Sequence, residues 1–164
     1  MQSRTIALRV PTMDTTSFDD FYRAHHADAV RWAVGLVGSR AVAEELAHDS
    51  LAAVGGRLAT LDNPTGYLRR TVVNRARSWL RSHEREQRRA RRASAGSPTS
   101  YSPETGEMLD ALGVLPYKQR AAVTLRYWCD WTDEDIGDAL ECAPATVRVL
   151  LHRGIATLKK EITQ

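Results

Sequence analysis

Asp62-Asn63-Pro64 opens the stretch that most restricts how this chain can fold. A capping side chain followed by proline at the first helical position is a strong helix start. The spacing beyond it predicts a helix to at least Leu80. At about 100° per residue, Arg70, Asn74, Arg77 and Arg81 fall within a band of roughly 60°. Leu68, Val72, Ala76 and Trp79 spread around the opposite side, flanked by Val73 and Leu80. Such a helix cannot stand alone: it must bury one stripe and offer the other to something anionic. Aromatic residues make up only 7% of the chain, so the partners of the buried stripe are mostly Ala, Val and Leu, which favours packed helices over a sandwich.

The remaining elements follow the same period. Ser17, with Asp20 three residues on, reads as a cap for a helix running to about Val37, where Gly38-Ser39 breaks it. A second helix is expected from about Arg40 and stops or bends at Gly55-Gly56. Residues 1–16 show no period and read as a mobile tail, with Met1 and Met13 both candidate starts. Residues 85–106 lose apolar periodicity and gather Arg, Ser, Pro and Gly, which reads as a flexible linker. Beyond it lie a short helix, another opened by Pro116, and two more over 133–140 and 144 to about 160, with Thr132 and Asp135 as a cap-like pair. The expectation is an all-α chain of two small helical domains: an N-terminal bundle over 17–84 and a C-terminal helix-turn-helix domain over 107–164.

Charge is unevenly placed. Residues 64–92 carry 10 Arg against Glu84 and Glu86, and 144–164 are basic again, while the intervening 93–143 are acidic. Two basic blocks separated by an acidic one suggest two contacts with a polyanion. Arg contacts phosphates bidentately and stacks on exposed bases, and Asn74 can hydrogen-bond a base edge. Enzyme signatures are missing: there is no Gly-rich phosphate loop, no GxSxG and no HExxH. Cys129 and Cys142 stand 13 apart and the five histidines show no ligand spacing, so neither metal nor cofactor is expected. No apolar run is long enough to span a bilayer or to serve as a secretion signal, so a cytoplasmic protein without membrane contact of its own is expected.

The sharpest local pattern is Asp133 to Leu150. Ile136 is followed by the small Gly137, then Leu140, Cys142, Val147 and Leu150, which are the apolar and small positions of a DNA-reading helix-turn-helix. Glu141 stands where the turn usually carries Gly, because φ is positive there. Ala145, Thr146, Arg148, Val149, His152 and Arg153 are the outward positions of the second helix. Thr146 and Arg148 are placed to approach base edges, with Arg153, Lys159 and Lys160 nearer phosphates.

Taken together, the two halves resemble the extracytoplasmic-function class of bacterial sigma factors, within the sigma-70 family. In the C-terminal half, Leu115-Pro116, Gln119-Arg120, Leu125-Arg126-Tyr127, Asp135-Ile136 and Thr146-Val147-Arg148 fall in the family's order. In the N-terminal half, VAEELAHDSLAAV is similar to the polymerase-binding helix and NPTGYLRRTVVNRARSWLR to the promoter-reading helix. The resemblance implies that the chain binds core RNA polymerase and directs promoter recognition, melting and transcription initiation, without chemistry of its own. It implies that Glu45, His48 and Asp49 grip the clamp helices of the largest subunit. It implies that Asn63, Arg70, Asn74, Arg77 and Arg81 hold the minus-10 element and its unstacked non-template strand. The helix-turn-helix would then bind the double-stranded minus-35 element, and members are often held inactive by an anti-sigma protein. His48 stands where Gln is usual, and Val149-Leu150-Leu151-His152 where Ser-Arg-Leu is common, so its minus-35 preference is its own.

Two other readings compete. A stand-alone helix-turn-helix regulator would bind DNA as a dimer without touching polymerase; the acidic Glu44-Glu45…Asp49 face argues for a polymerase contact instead. A helical adaptor would use its arginines only for solvation or nonspecific RNA binding.

Overall fold

Capping side chains and helix breakers set the element boundaries. The computed structural model describes residues 15–93 and 106–163, and every regular element among them is helical. Helix α1 (Thr15–Val37) ends where Gly38 takes φ 76°, a left-handed turn that glycine adopts without steric cost. Ser39 then caps α2 (Arg40–Gly55), its hydroxyl oxygen accepting from the Val42 N–H at 3.4 Å. Ser17, expected to be the cap of α1, sits inside its first turn; Thr15 and Thr16, part of the expected tail, are already helical. The earlier start leaves Ser17 one turn too late to cap. The rest of that tail lies outside the described residues.

A short 3-10 turn (Leu58–Thr60) leads into α3 (Pro64–Ala93). The Asn63 side-chain oxygen accepts from the Gly66 N–H at 2.9 Å, and Leu68, Val72, Val73 and Ala76 are buried. The helix does not stop where the linker was expected to begin: residues 85–93 are helical. Glu, Gln, Arg and Ala are all strong helix formers, and these two turns project past the core, where no apolar period is needed. The remainder of the expected linker, 94–105, lies outside the described residues.

The second half contains α4 (Gly106–Gly113), α5 (Tyr117–Tyr127), α6 (Asp133–Leu140) and α7 (Pro144–Ile162). The Arg120 guanidinium donates to the carbonyls of Leu112 at 3.0 Å and Gly113 at 3.2 Å, tying the end of α4 to α5. Thr132 caps α6 by accepting from the Asp135 N–H at 3.1 Å, as its spacing suggests.

The two halves share one continuous core. Leu36, Leu51, Val54, Leu68 and Val72 form its N-terminal part; Leu115, Leu125, Ile136 and Val147 form its C-terminal part. Trp32 and Trp131 meet edge to face between the two halves, with centroids 5.1 Å apart. The Arg69 guanidinium lies over both rings, 5.8 Å from Trp32 and 5.0 Å from Trp131, and pairs with Asp135 at 2.9 Å. The Tyr117 hydroxyl donates across the same seam to the Val73 carbonyl at 2.7 Å, and burial raises its pKa well above the ordinary value, keeping the donor proton in place. No helix among the described residues is long and apolar enough to cross a membrane.

Candidate nucleic-acid interface

The period of α3 turns its polar stripe away from α1 and α2. Arg70, Asn74 and Arg81 are exposed, and none of the ion pairs among the described residues engages Arg70 or Arg81. Arg77 is half-buried, with its guanidinium 5.9 Å from the centre of the Tyr117 ring. Asn74 and Arg77 form one wall of a narrow recess whose other wall is Tyr117, Lys118, Leu140 and Glu141. The stripe is thus open at Arg70 and Arg81 and abutted by the second half in between. Asn63 is exposed, but its side-chain oxygen already serves the helix cap.

The helix-turn-helix is built as its spacing requires. A Cβ at Gly137 would lie 2.6 Å from the Cys142 carbonyl oxygen, so only glycine lets the turn fold back this closely. Glu141 adopts φ 56°, ψ 48°, the left-handed conformation expected of a Gly position, which costs a side chain roughly 1–2 kcal/mol. Ile136, Leu140 and Val147 are buried, whereas Cys142 and Leu150 are only half-buried; Leu151 takes the inner place beside them. Ala145, Thr146, Arg148, Val149, His152 and Arg153 are all exposed on one side of α7. Asp133, itself nearly buried, holds Arg126 at 2.8 Å and reaches Arg148 at 3.5 Å. The longer, solvent-facing pair is weak, so it orients the Arg148 guanidinium without committing it.

Glu45, His48 and Asp49 are exposed together on α2. The Tyr22 hydroxyl lies 3.4 Å from His48 Nδ1, and its ring stacks on His26 at 5.1 Å. Tyr22 therefore belongs to this surface, a contact between helices that one-dimensional spacing does not reveal. Sequence reasoning also missed Arg69 and Trp131. The one signal for Arg69 is its position off the arginine stripe, towards the buried side of α3. Cys129 is buried, and burial pushes its thiol up to about 12, a group with little thiolate character.

An arginine-faced helix on one half and a helix-turn-helix on the other define a two-anchor, all-α nucleic-acid-binding protein. Residues 21–86 match the family model described as sigma-70 region 2, and residues 105–158 match that for sigma-70 region 4. The chain belongs to the sigma-70 family of RNA polymerase sigma factors, in its extracytoplasmic-function class. As such it binds RNA polymerase and directs promoter-dependent transcription initiation. It is 28% identical over 155 residues to the RNA polymerase sigma-E factor of Streptomyces coelicolor, covering 91% of this chain and 88% of that protein. It is 29% identical over 155 residues to the sigma-E factor of Streptomyces antibioticus, covering 91% and 86%. Among solved structures, the fold is similar to Bartonella quintana sigma factor RpoE in complex with the anti-sigma factor NepR. That match has a TM-score of 0.70 at 20% identity and covers 90% of this chain and 98% of that one. CnrH in complex with the cytosolic domain of CnrY matches with a TM-score of 0.68 at 16% identity, covering 92% and 90%.

Proposed function

We propose that this sigma factor divides its work among three surfaces. Glu45, His48 and Asp49 grip the clamp helices of the polymerase's largest subunit. Asn63, Arg70, Asn74, Arg77 and Arg81 hold the minus-10 element and capture unstacked non-template bases. Ala145, Thr146, Arg148, Val149, His152 and Arg153 read the double-stranded minus-35 element. Unstacking costs a few kcal/mol per step unless cations and stacking surfaces compensate; the stripe of α3 offers arginines and one amide for that purpose. The observation that carries the reading is the pairing of this stripe with a separate helix-turn-helix whose six outward positions are all exposed.

Two elements centred about 25 base pairs apart are separated by about 85 Å of duplex. A compact 164-residue chain has a radius of gyration of about 15 Å. The docked arrangement is therefore a closed one, and simultaneous engagement requires the two halves to part. An anti-sigma protein is a natural partner, in line with the solved complex of the similar sigma factor RpoE with the anti-sigma factor NepR. The work is done in the cytoplasm, where polymerase and promoters are.

Run-off transcription with core polymerase on genomic promoter fragments tests the proposal. Promoter-specific transcripts are expected with core polymerase and none without the chain. Reversing Glu45 and Asp49 to Lys places like charges against the clamp, a penalty of several kcal/mol, and should abolish core binding while the circular dichroism spectrum is retained. Normal core binding by the folded double variant would remove the α2 assignment. Transcript-free DNA binding without polymerase would revive the stand-alone regulator.

A further inference from the structure

The helical continuation of α3 past the core gives its arginines a common register. Arg70, Asn74, Arg77, Arg81, Arg85, Arg88 and Arg92 follow one another at separations of four, three, four, four, three and four residues. On a continuous helix they lie within a band of roughly 80°, and α3 is continuous from Pro64 to Ala93. The stripe is about 33 Å long at 1.5 Å per residue. It contains no acidic residue: Glu84 flanks it and Glu86 faces the other way. Arg81, Arg85, Arg88 and Arg92 are exposed, and none of them is in an ion pair among the described residues. Nothing in the fold requires this register, because the last turns bury no apolar face.

We infer that Arg85, Arg88 and Arg92 form a phosphate-contacting extension that lies along duplex DNA upstream of the melted region. The inference rests on the promoter-reading role proposed for α3. Its direction comes from the chain order: α3 begins next to Asn63, assigned above to the minus-10 element, and its far end leads on to the domain assigned to minus-35. The projecting part, Arg81 to Arg92, is about 17 Å long and matches about five base pairs. The unpaired positive stripe complements duplex phosphates, and a contact made to the phosphates alone is independent of sequence.

The test uses the full chain and its R85Q/R88Q/R92Q variant with a fluorescein-labelled 30-base-pair duplex of arbitrary sequence, titrated with NaCl. Each phosphate contact contributes about 0.9 to the slope of log affinity against log salt, so the variant should lose about 2.7. R85K/R88K/R92K should keep the slope. An unchanged slope in the Gln variant, loss of slope in the Lys variant, or an equal effect per charge from R89Q/R91Q would overturn the inference. Lost binding of single-stranded RNA with an unchanged duplex slope, or lost core polymerase binding, would assign the arginines to another partner and overturn it equally. On a promoter recovered by run-off transcription, the hydroxyl-radical footprint of the variant holoenzyme should retreat by about five base pairs at its minus-10-proximal upstream edge. A transcription failure of the wild-type chain would remove the sigma-factor role of α3, whereas the salt slope tests the arginine extension by itself.

Discussion

The two candidate DNA-reading helices differ in what stands before them. On α7 every outward position from Ala145 to Arg153 faces solvent, and only a weak pair from Arg148 to Asp133 crosses its face. On α3 the middle of the stripe is abutted: Arg77 lies against Tyr117, and Asn74 shares a recess with the end of α6. Under the roles proposed above, the helix assigned to unstacked bases is therefore partly covered by the domain carrying the open one. The contacts of Trp32, Arg69, Trp131, Asp135 and Tyr117 hold the second half against the stripe of α3, and no such seam lies across the outward face of α7.

Breaking the seam should abolish the contrast. Trp131 is 3% exposed and packs on both Trp32 and Arg69. Trp131→Ala should cost about 3–5 kcal/mol, read as a lower urea midpoint, with a larger radius of gyration by small-angle scattering. A folded variant of unchanged size would show that the seam does not hold the halves together. Removing the α3 side of the comparison, with Asn74→Ala and Arg77→Ala combined, should impair promoter opening by about 1–3 kcal/mol per lost contact while core binding persists. Permanganate reactivity of the melted region measures this, and unchanged reactivity would take α3 out of the melting step. On the α7 side, Arg148→Ala should weaken minus-35 binding by about 1–3 kcal/mol and relax base preference at one position, measured by competition among single-base variants. The smallest effect is expected from Lys159→Ala near the end of α7, which should reduce the salt slope by about 0.9 without changing base preference.

Much of this fold is legible in local chemistry. Gly38, Asn63, Thr132, Glu141 and Pro144 each act within a few residues of themselves, and each sets its turn or cap where the sequence places it. The outward positions of α7 and the exposure of Glu45, His48 and Asp49 also follow from period alone. Two features do not. The helical run 85–93 has no apolar face, so a reading based on amphipathic period ends too early, although its residues all favour helix. The docking of the halves depends on which apolar and aromatic surfaces meet across about 40 to 100 residues of chain, which no local pattern encodes. Trp79 illustrates the margin: expected in the core, it is half-buried and stacks on His83 at 4.7 Å, because the stripe it belongs to runs out from between α1 and α2.

The seam also carries its own optical label. Of the four tryptophans, Trp32 and Trp131 are the two that meet ring to ring, at 84° and 5.1 Å, with a guanidinium over both. Edge-to-face indoles at this distance couple their electronic transitions, giving the closed form a near-ultraviolet dichroic signature that Trp79 and Trp128 do not share. Parting the halves would extinguish that coupling and shift the emission of Trp131 to the red as its ring meets water. Whether core polymerase parts the halves can thus be followed in the unlabelled protein, in real time, by differencing against a Trp131→Phe reference.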